Sequence, residues 1–221
     1  MNDDLELRVD GARPLTVEAI AAVGAVCDTA EDRGGRGRVV VHVSGAPDGP
    51  RPAGLTVAVV SKWERALRRL ERLPAATVAV ADGDCGGLAL DALLATDHRI
   101  ATESVRLMVP VEGGATWPGM AVYRLAHRAG GTAAAIRRAV LFGTPLPARD
   151  ALALQLLDEV TDDVSAALAA AEPLGELSGP ELAIRRQLLF DASTAGFEEA
   201  LGVHLAACDR DLRRTGSGAV S

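Results

Sequence analysis

The sequence predicts an α/β domain whose last third is helical, and three observations carry that prediction. Short β-branched or alternating runs, LELRV (5–9), VVVHVS (39–44) and TVAVAD (77–82), recur between amphipathic stretches. Beyond Pro118 the apolar residues follow helical rather than strand spacing. No internal repeat, linker or low-complexity run breaks the 221 residues, and 48% hydrophobic composition suffices for one substantial core.

Taken in order, LELRV alternates as an edge strand does, and Thr16 then caps the helix VEAIAAVGAVCDTAED. RGGRG punctuates it, VVVHVS reads as a short strand, and GAPDGPRPAG is a turn-rich loop. TVAVVSKWERALRRLERL predicts a long helix, TVAVAD a buried strand, and GGLALDALLATD a further helix. HRIATE and VRLMV predict two short strands, and PVEGGATWPG a loop. AVYRLAHRAG and TAAAIRRAVLFG are helices, the second stopped by Gly143, and Pro147 starts a third, PARDALALQ. LLDEV (156–160) predicts the last strand, Ser178 is expected to cap SGPELAIRRQLLFDAS, and GFEEALGVHLAACDRDLRR closes the chain as an amphipathic helix. Residues 1–165 are therefore expected as an α/β core, with 166–221 as a helical region of the same domain.

The formal charge of −7 and only 3% aromatic residues argue against a nucleic-acid binder or an anionic-membrane binder, which rely on surplus Lys and Arg or on stacking rings. No basic-then-apolar signal and no apolar run near the roughly 20 residues of a bilayer span is visible, so a soluble cytoplasmic protein is expected. Cys27, Cys85 and Cys208 are too few and too far apart for a disulfide framework or a zinc site. Cys27 and Cys208 read as small buried hydrophobes, whereas Cys85 precedes a helix start, where the dipole would lower a thiol pKa. On the helix at 56–73, Trp63, Ala66, Leu67 and Leu70 form an apolar face, and Lys62, Arg65, Arg69 and Arg72 a basic stripe. The stripe is either a solvated face balanced by Glu64 and Glu71 or a contact for phosphates or an acidic partner. Asp97 and Arg99 read as a structural pair, and His98 as a surface or core histidine.

Chemistry concentrates in GDCGGLALD. Gly86 and Gly87 leave the backbone open to a ligand where a helix begins, and its free N–H groups favour an oxygen gaining negative charge. Tight helix–strand packing is the competing explanation of the glycines. Asp91 falls on the helix face of that mouth, three residues after Leu88. A carboxylate among leucines is either a structural cap or a catalytic acid/base.

The run LPAATVAVADGDCGGLALDALLATDHRIATESVRLMVP, with WPG (117–119), FGTPLPARDALALQLLDEV and GFEEAL, resembles the crotonase (enoyl-CoA hydratase/isomerase) superfamily over most of residues 5–214. VSKWERALRRLERLPA, ATWPGM and IRRAVLFG sharpen the likeness toward the small crotonase-like proteins of 3,5-dihydroxyphenylglycine biosynthesis, which accompany a type III polyketide synthase. The resemblance implies a spiral of ββα turns, homotrimers or homohexamers, and an acyl-CoA thioester as substrate, with no cofactor beyond the coenzyme A of that thioester and no metal. Counted back from Asp97, the family's first catalytic glutamate falls on Asp91 and its helix-mouth N–H on Leu88. In PAGLT the second N–H falls on Leu55, after Gly54, with Thr56 where the family has Asp. The second glutamate falls on Val111, and Glu112 beside it is the substitute. Trp117 is implied as a wall of the acyl pocket bordered by Tyr123 and His127, and Lys62 and Arg65 as contacts for the phosphates of coenzyme A. Three functions stay open: dehydration and aromatisation of a cyclised polyketide thioester toward 3,5-dihydroxyphenylacetyl-CoA, a non-catalytic accessory role for the synthase, and thioester hydrolysis through Cys85.

Overall fold

A computed structural model of the chain describes residues 4–49, 54–129 and 133–218. Strand β1 (Leu5–Asp10) leads to α1 (Val17–Asp32), β2 (Arg38–Gly45), α2 (Val57–Leu70), β3 (Ala76–Gly86), α3 (Leu88–Leu93) and β4 (His98–Ala101). Strand β5 (Arg106–Met108) and a small hairpin of β6 (Val111–Glu112) and β7 (Ala115–Thr116) precede α4 (Met120–Ala129) and α5 (Ala134–Phe142). Then come β8 (Leu146–Pro147), α6 (Ala148–Ala153), β9 (Glu159–Val160), α7 (Val164–Ala170), a 3-10 turn (Glu172–Glu176), α8 (Pro180–Asp191) and α9 (Phe197–Gly218).

Strands β1, β2, β3, β4 and β9 pair in parallel in that order, so β1 is an edge strand as its alternation predicts. β3 serves two sheet segments: Val78–Ala81 pair with β4, and Asp84–Gly86 with β5, which is antiparallel to β8. Through that switch one seven-stranded sheet takes in β5 and β8 beside the five parallel strands. One face carries the main core, in which Val39, Val41 and Val43 of β2 meet Trp63, Leu67 and Leu70 of α2, Val23 and Cys27 of α1, and the leucines of α3. The opposite face buries Val78 and Ile100 against Ala167 and Ala171, so α7 and the turn after it cover that side. No described helix is long and apolar enough to cross a membrane.

Local signals place the caps. Thr16 and Thr56 accept the backbone N–H groups of Ala19 and Val59, and Gly143 closes α5. Several expectations change. Residues 110–119 hold the β6–β7 hairpin inside the expected loop. α3 is only six residues long, because the chain must return at His98 to pair with β3. The N-cap of α8 is Gly179 rather than Ser178, with Pro180 in the first turn. Asp97 and Arg99 do not pair with each other: Asp97 accepts from Thr77 and Arg186, and Arg99 grips Asp158. Cys208 is exposed, since α9 has no buried side chain among those described.

Candidate active site

Asp91 enters on the first turn of α3, where its backbone N–H bonds to the Gly87 carbonyl at 3.1 Å. The apolar face of α2 meets it: the indole Nε1–H of Trp63, itself 1% exposed, donates to Asp91 Oδ2 at 3.1 Å. Around this pair lies a chain of charge. Arg124 of α4 donates to Glu64 at 2.9 Å and to Glu71 at 2.7 Å, and Arg68 donates to the other Glu71 oxygen at 3.0 Å. Glu64 and Glu71 are seven residues apart and share a face of α2, which lets one guanidinium bridge them.

Asp91 as a residue is only part-buried, yet its carboxyl, under the indole of Trp63, is desolvated by burial. Burial and the neighbouring charge of Glu64 push its pKa up to about 7, against the opposing pull of the Trp63 hydrogen bond, Arg124 and the Ala121 backbone N–H. Burial likewise raises Glu64, and Arg124 restrains it. A carboxyl poised near neutrality transfers protons in either direction.

Two clefts open beside these elements, and Asp91 is among the lining residues of neither. One, of about 470 Å³, is lined by Leu55, Thr56, Val60, Glu112, Trp117 and Met120. The other, of about 750 Å³, is bordered by Leu88, Trp63, Ser44, Asp10 and Arg13. Trp63, which donates to Asp91, borders the second, and Ala121, whose backbone N–H bears on Asp91, follows Met120 of the first, so Asp91 meets the clefts only through these neighbours. The structure thus gathers Leu55, Glu112 and Trp117 in one cleft and sets Leu88 on the other. On the hairpin, successive side chains alternate: Val111 is 54% exposed, and Glu112 lines the cleft. Gly54, exposed with φ +104°, leads into Leu55.

Gly86 and Gly87 are explained by packing of the chain on itself. A side chain at Gly86 would meet Ala46 and the Met108 carbonyl, and one at Gly87, where φ is +52°, would meet Pro47. Lys62 and Arg65 are exposed on α2 and line neither cleft. Arg69 of the same stripe is spent on Asp28 and Glu31 of α1, at 2.7 and 2.6 Å. Glu64 and Glu71 turn away from the stripe toward Arg124 and so do not balance it. Tyr123 and His127 stack on each other, and His127 continues onto Phe190 of α8. Cys85 is fully buried, and burial together with Asp91 pushes its thiol up rather than down, contrary to the helix-dipole expectation.

Sequence reasoning missed Trp63 as the partner of Asp91, and Arg124 as the hub behind it. The signal for Arg124 was present: an arginine shares a helical face with Ala121 and Leu125, both buried, and such a position demands a buried acid. Among the described residues no cluster of His, Cys, Asp and Glu is arranged to hold a metal.

No protein-family model matches the chain. A curated protein of Amycolatopsis orientalis named enoyl-CoA hydratase is 56% identical over 215 residues, spanning 97% of this chain and 98% of that protein. The fold superposes on an enoyl-CoA hydratase from Polaromonas sp. JS666 with a TM-score of 0.82 at 19% identity, covering 99% of this chain and 91% of the other. An enoyl-CoA hydratase/isomerase from Marinobacter aquaeolei gives a TM-score of 0.79 at 15% identity, covering 96% and 89%.

Proposed function

The chain belongs to the enoyl-CoA hydratase/isomerase (crotonase) superfamily, and from that premise we propose that it is an acyl-CoA-acting enzyme that dehydrates and aromatises a cyclised polyketide thioester. The observation that carries this reading is the buried Asp91 carboxyl, held by Trp63, whose ring borders one of the clefts, and pushed up to about 7. In the proposed reaction the acyl group lies in the cleft of Leu55, Glu112 and Trp117, and the thioester runs toward the helix mouth at Leu88. The backbone N–H groups of Leu88 and Leu55 steady the thioester oxygen as it becomes enolate-like. Asp91 takes the proton from the carbon beside the carbonyl, Glu112 gives one to the departing hydroxyl, and water leaves. Conjugation of the new double bond drives the ring toward the aromatic product.

The proposed partner is a type III polyketide synthase, with 3,5-dihydroxyphenylacetyl-CoA as the product of the pair and a homotrimer or homohexamer as the working assembly. Lys62 and Arg65 are the proposed contacts for the phosphates of coenzyme A. A second reading, a non-catalytic accessory protein that shapes the synthase, is favoured by one observation: Val111 stands where the family's second acid falls. The product profile of the synthase decides between them. An enzyme changes the profile at a small fraction of the synthase concentration and loses that effect in Asp91→Asn, whereas an accessory protein acts near one-to-one and tolerates the substitution.

A further inference from the structure

Trp63 is the one side chain from α2 that hydrogen-bonds to the carboxyl of Asp91, and it does so from a fully packed position. Shape alone does not require an indole there, because a phenyl or isobutyl group can fill an apolar core site without bringing in a polar N–H that must be satisfied. The N–H goes to Oδ2. In the neutral acid, an oxygen that accepts an N–H leaves the proton to its sibling, so the bond fixes both the rotation of the carboxyl and the oxygen that carries the proton.

We propose that Trp63 is a positioning residue: its indole N–H clamps Oδ2 of Asp91, so that Oδ1 is the oxygen that exchanges a proton with the thioester substrate. This rests on the acid/base role of Asp91 proposed above. The charged and titratable groups facing that carboxyl are Glu64 of α2, Arg124 of α4 and Cys85 of β3, together with the Ala121 backbone N–H. Glu64, braced by Arg124, favours the protonated carboxyl, and the indole favours the charged one.

The two influences oppose each other, and that gives the test. The carboxyl of Asp91, labelled with carbon-13, is titrated by NMR in the unaltered protein, W63F and E64Q. The midpoint is expected to rise in W63F by about 0.5 to 1 pH unit, as fits the roughly 1 kcal/mol by which the indole bonds a charged carboxyl more strongly than a neutral one, and to fall in E64Q. In the synthase-coupled formation of aromatic product, W63F should lose roughly 5- to 50-fold in kcat with KM held within about 2-fold, since orientation rather than binding is removed. A folded W63F with an unmoved midpoint and full kcat overturns the proposal. Should W63F fail to fold, the indole N–H resonance of the unaltered protein still decides: it must shift with the same midpoint as the Asp91 carboxyl, and a resonance indifferent to that titration overturns the clamp. These resonances need no substrate. Full turnover by Asp91→Asn therefore sinks the acid/base reading, while the spectra judge the Trp63 clamp separately.

Discussion

Helices α3 and α9 show how differently one chain uses its apolar residues. α3 has six residues and buries Leu88, Ala89, Leu90, Ala92 and Leu93, which leaves Asp91 as its one group with chemistry to offer. α9 runs for 22 residues, yet Phe197, Leu205 and Leu212 are 76%, 58% and 71% exposed. Its ties to α8 are surface ion pairs, Arg210 with Glu181 and Arg185 with Asp211, each of the kind worth about 0–1 kcal/mol. A short helix locked by burial holds a carboxyl at one place and shifts its pKa. A long helix whose apolar side chains stand exposed is the surface on which the proposed homo-oligomer would meet a second copy of the chain.

The largest effect is expected at α3. Asp91→Asn keeps shape and hydrogen-bonding capacity but carries no proton, so formation of aromatic product by the synthase pair should drop by roughly 10² or more while the fold survives. Stability supplies a second measurement. Burial carries Asp91 from 3.8 to about 7, so between those values the folded state holds a proton that the unfolded chain releases. Wild-type stability therefore declines as pH rises through that window and levels off above it. Asp91→Asn has no such decline, and its melting temperature should gain on wild type from about pH 4 to about pH 7. A gap that does not change with pH would mean that the carboxyl is charged throughout and unfit for proton transfer near neutrality.

The contrast also marks what a sequence reveals. Thr16 was legible as a cap because a cap is a transaction among neighbours, and the alternation of LELRV named an edge strand because one face of a sheet is read directly from period two. Asp97 and Arg99 misled because their partners, Arg186 and Asp158, lie 89 and 59 residues away. Glu64 and Glu71 looked like counterweights to the basic stripe because they share its helix, but the buried guanidinium that claims them comes from α4. Asp91 was visible as a carboxylate among leucines. Trp63 was visible only as apolar, since a helical period places the ring in the core and says nothing of where its N–H points.

At α9, glutamate at both Leu205 and Leu212 puts charge on the exposed apolar face. Sedimentation at micromolar concentration should show wild type as a trimer or hexamer and the double variant as a smaller species, with the fold intact because those side chains support none of the chain's own core. A wild type that sediments as a monomer breaks the comparison on this side. A smaller effect belongs to the exposed part of the α2 stripe. Reversing Lys62 and Arg65 to glutamate should weaken acyl-CoA binding by roughly 3- to 10-fold at low salt and progressively less as salt is raised, as expected of solvent-exposed charges. Equal affinities at low salt would leave the two residues as a solvated face.

The smallest effect on activity is expected from Cys85→Ser, and it sharpens the comparison through the cysteines themselves. Cys85 lies at the end of β3, fully buried beside α3, with its thiol pushed up by burial and by Asp91, so no thiolate is available for attack on a thioester. Serine brings a hydroxyl into an apolar site, which should cost about 1–3 kcal/mol of stability and lower the melting temperature while activity stays near wild type. Cys208 on α9 is exposed and should react with a thiol reagent in the folded monomer, whereas Cys85 and Cys27 should not. If copies of the chain cover α9, that reaction slows in the wild-type assembly and speeds up in the Leu205 and Leu212 double variant. Loss of all activity in a folded Cys85→Ser would instead restore the cysteine as nucleophile and move the chemistry from α3 to the end of β3.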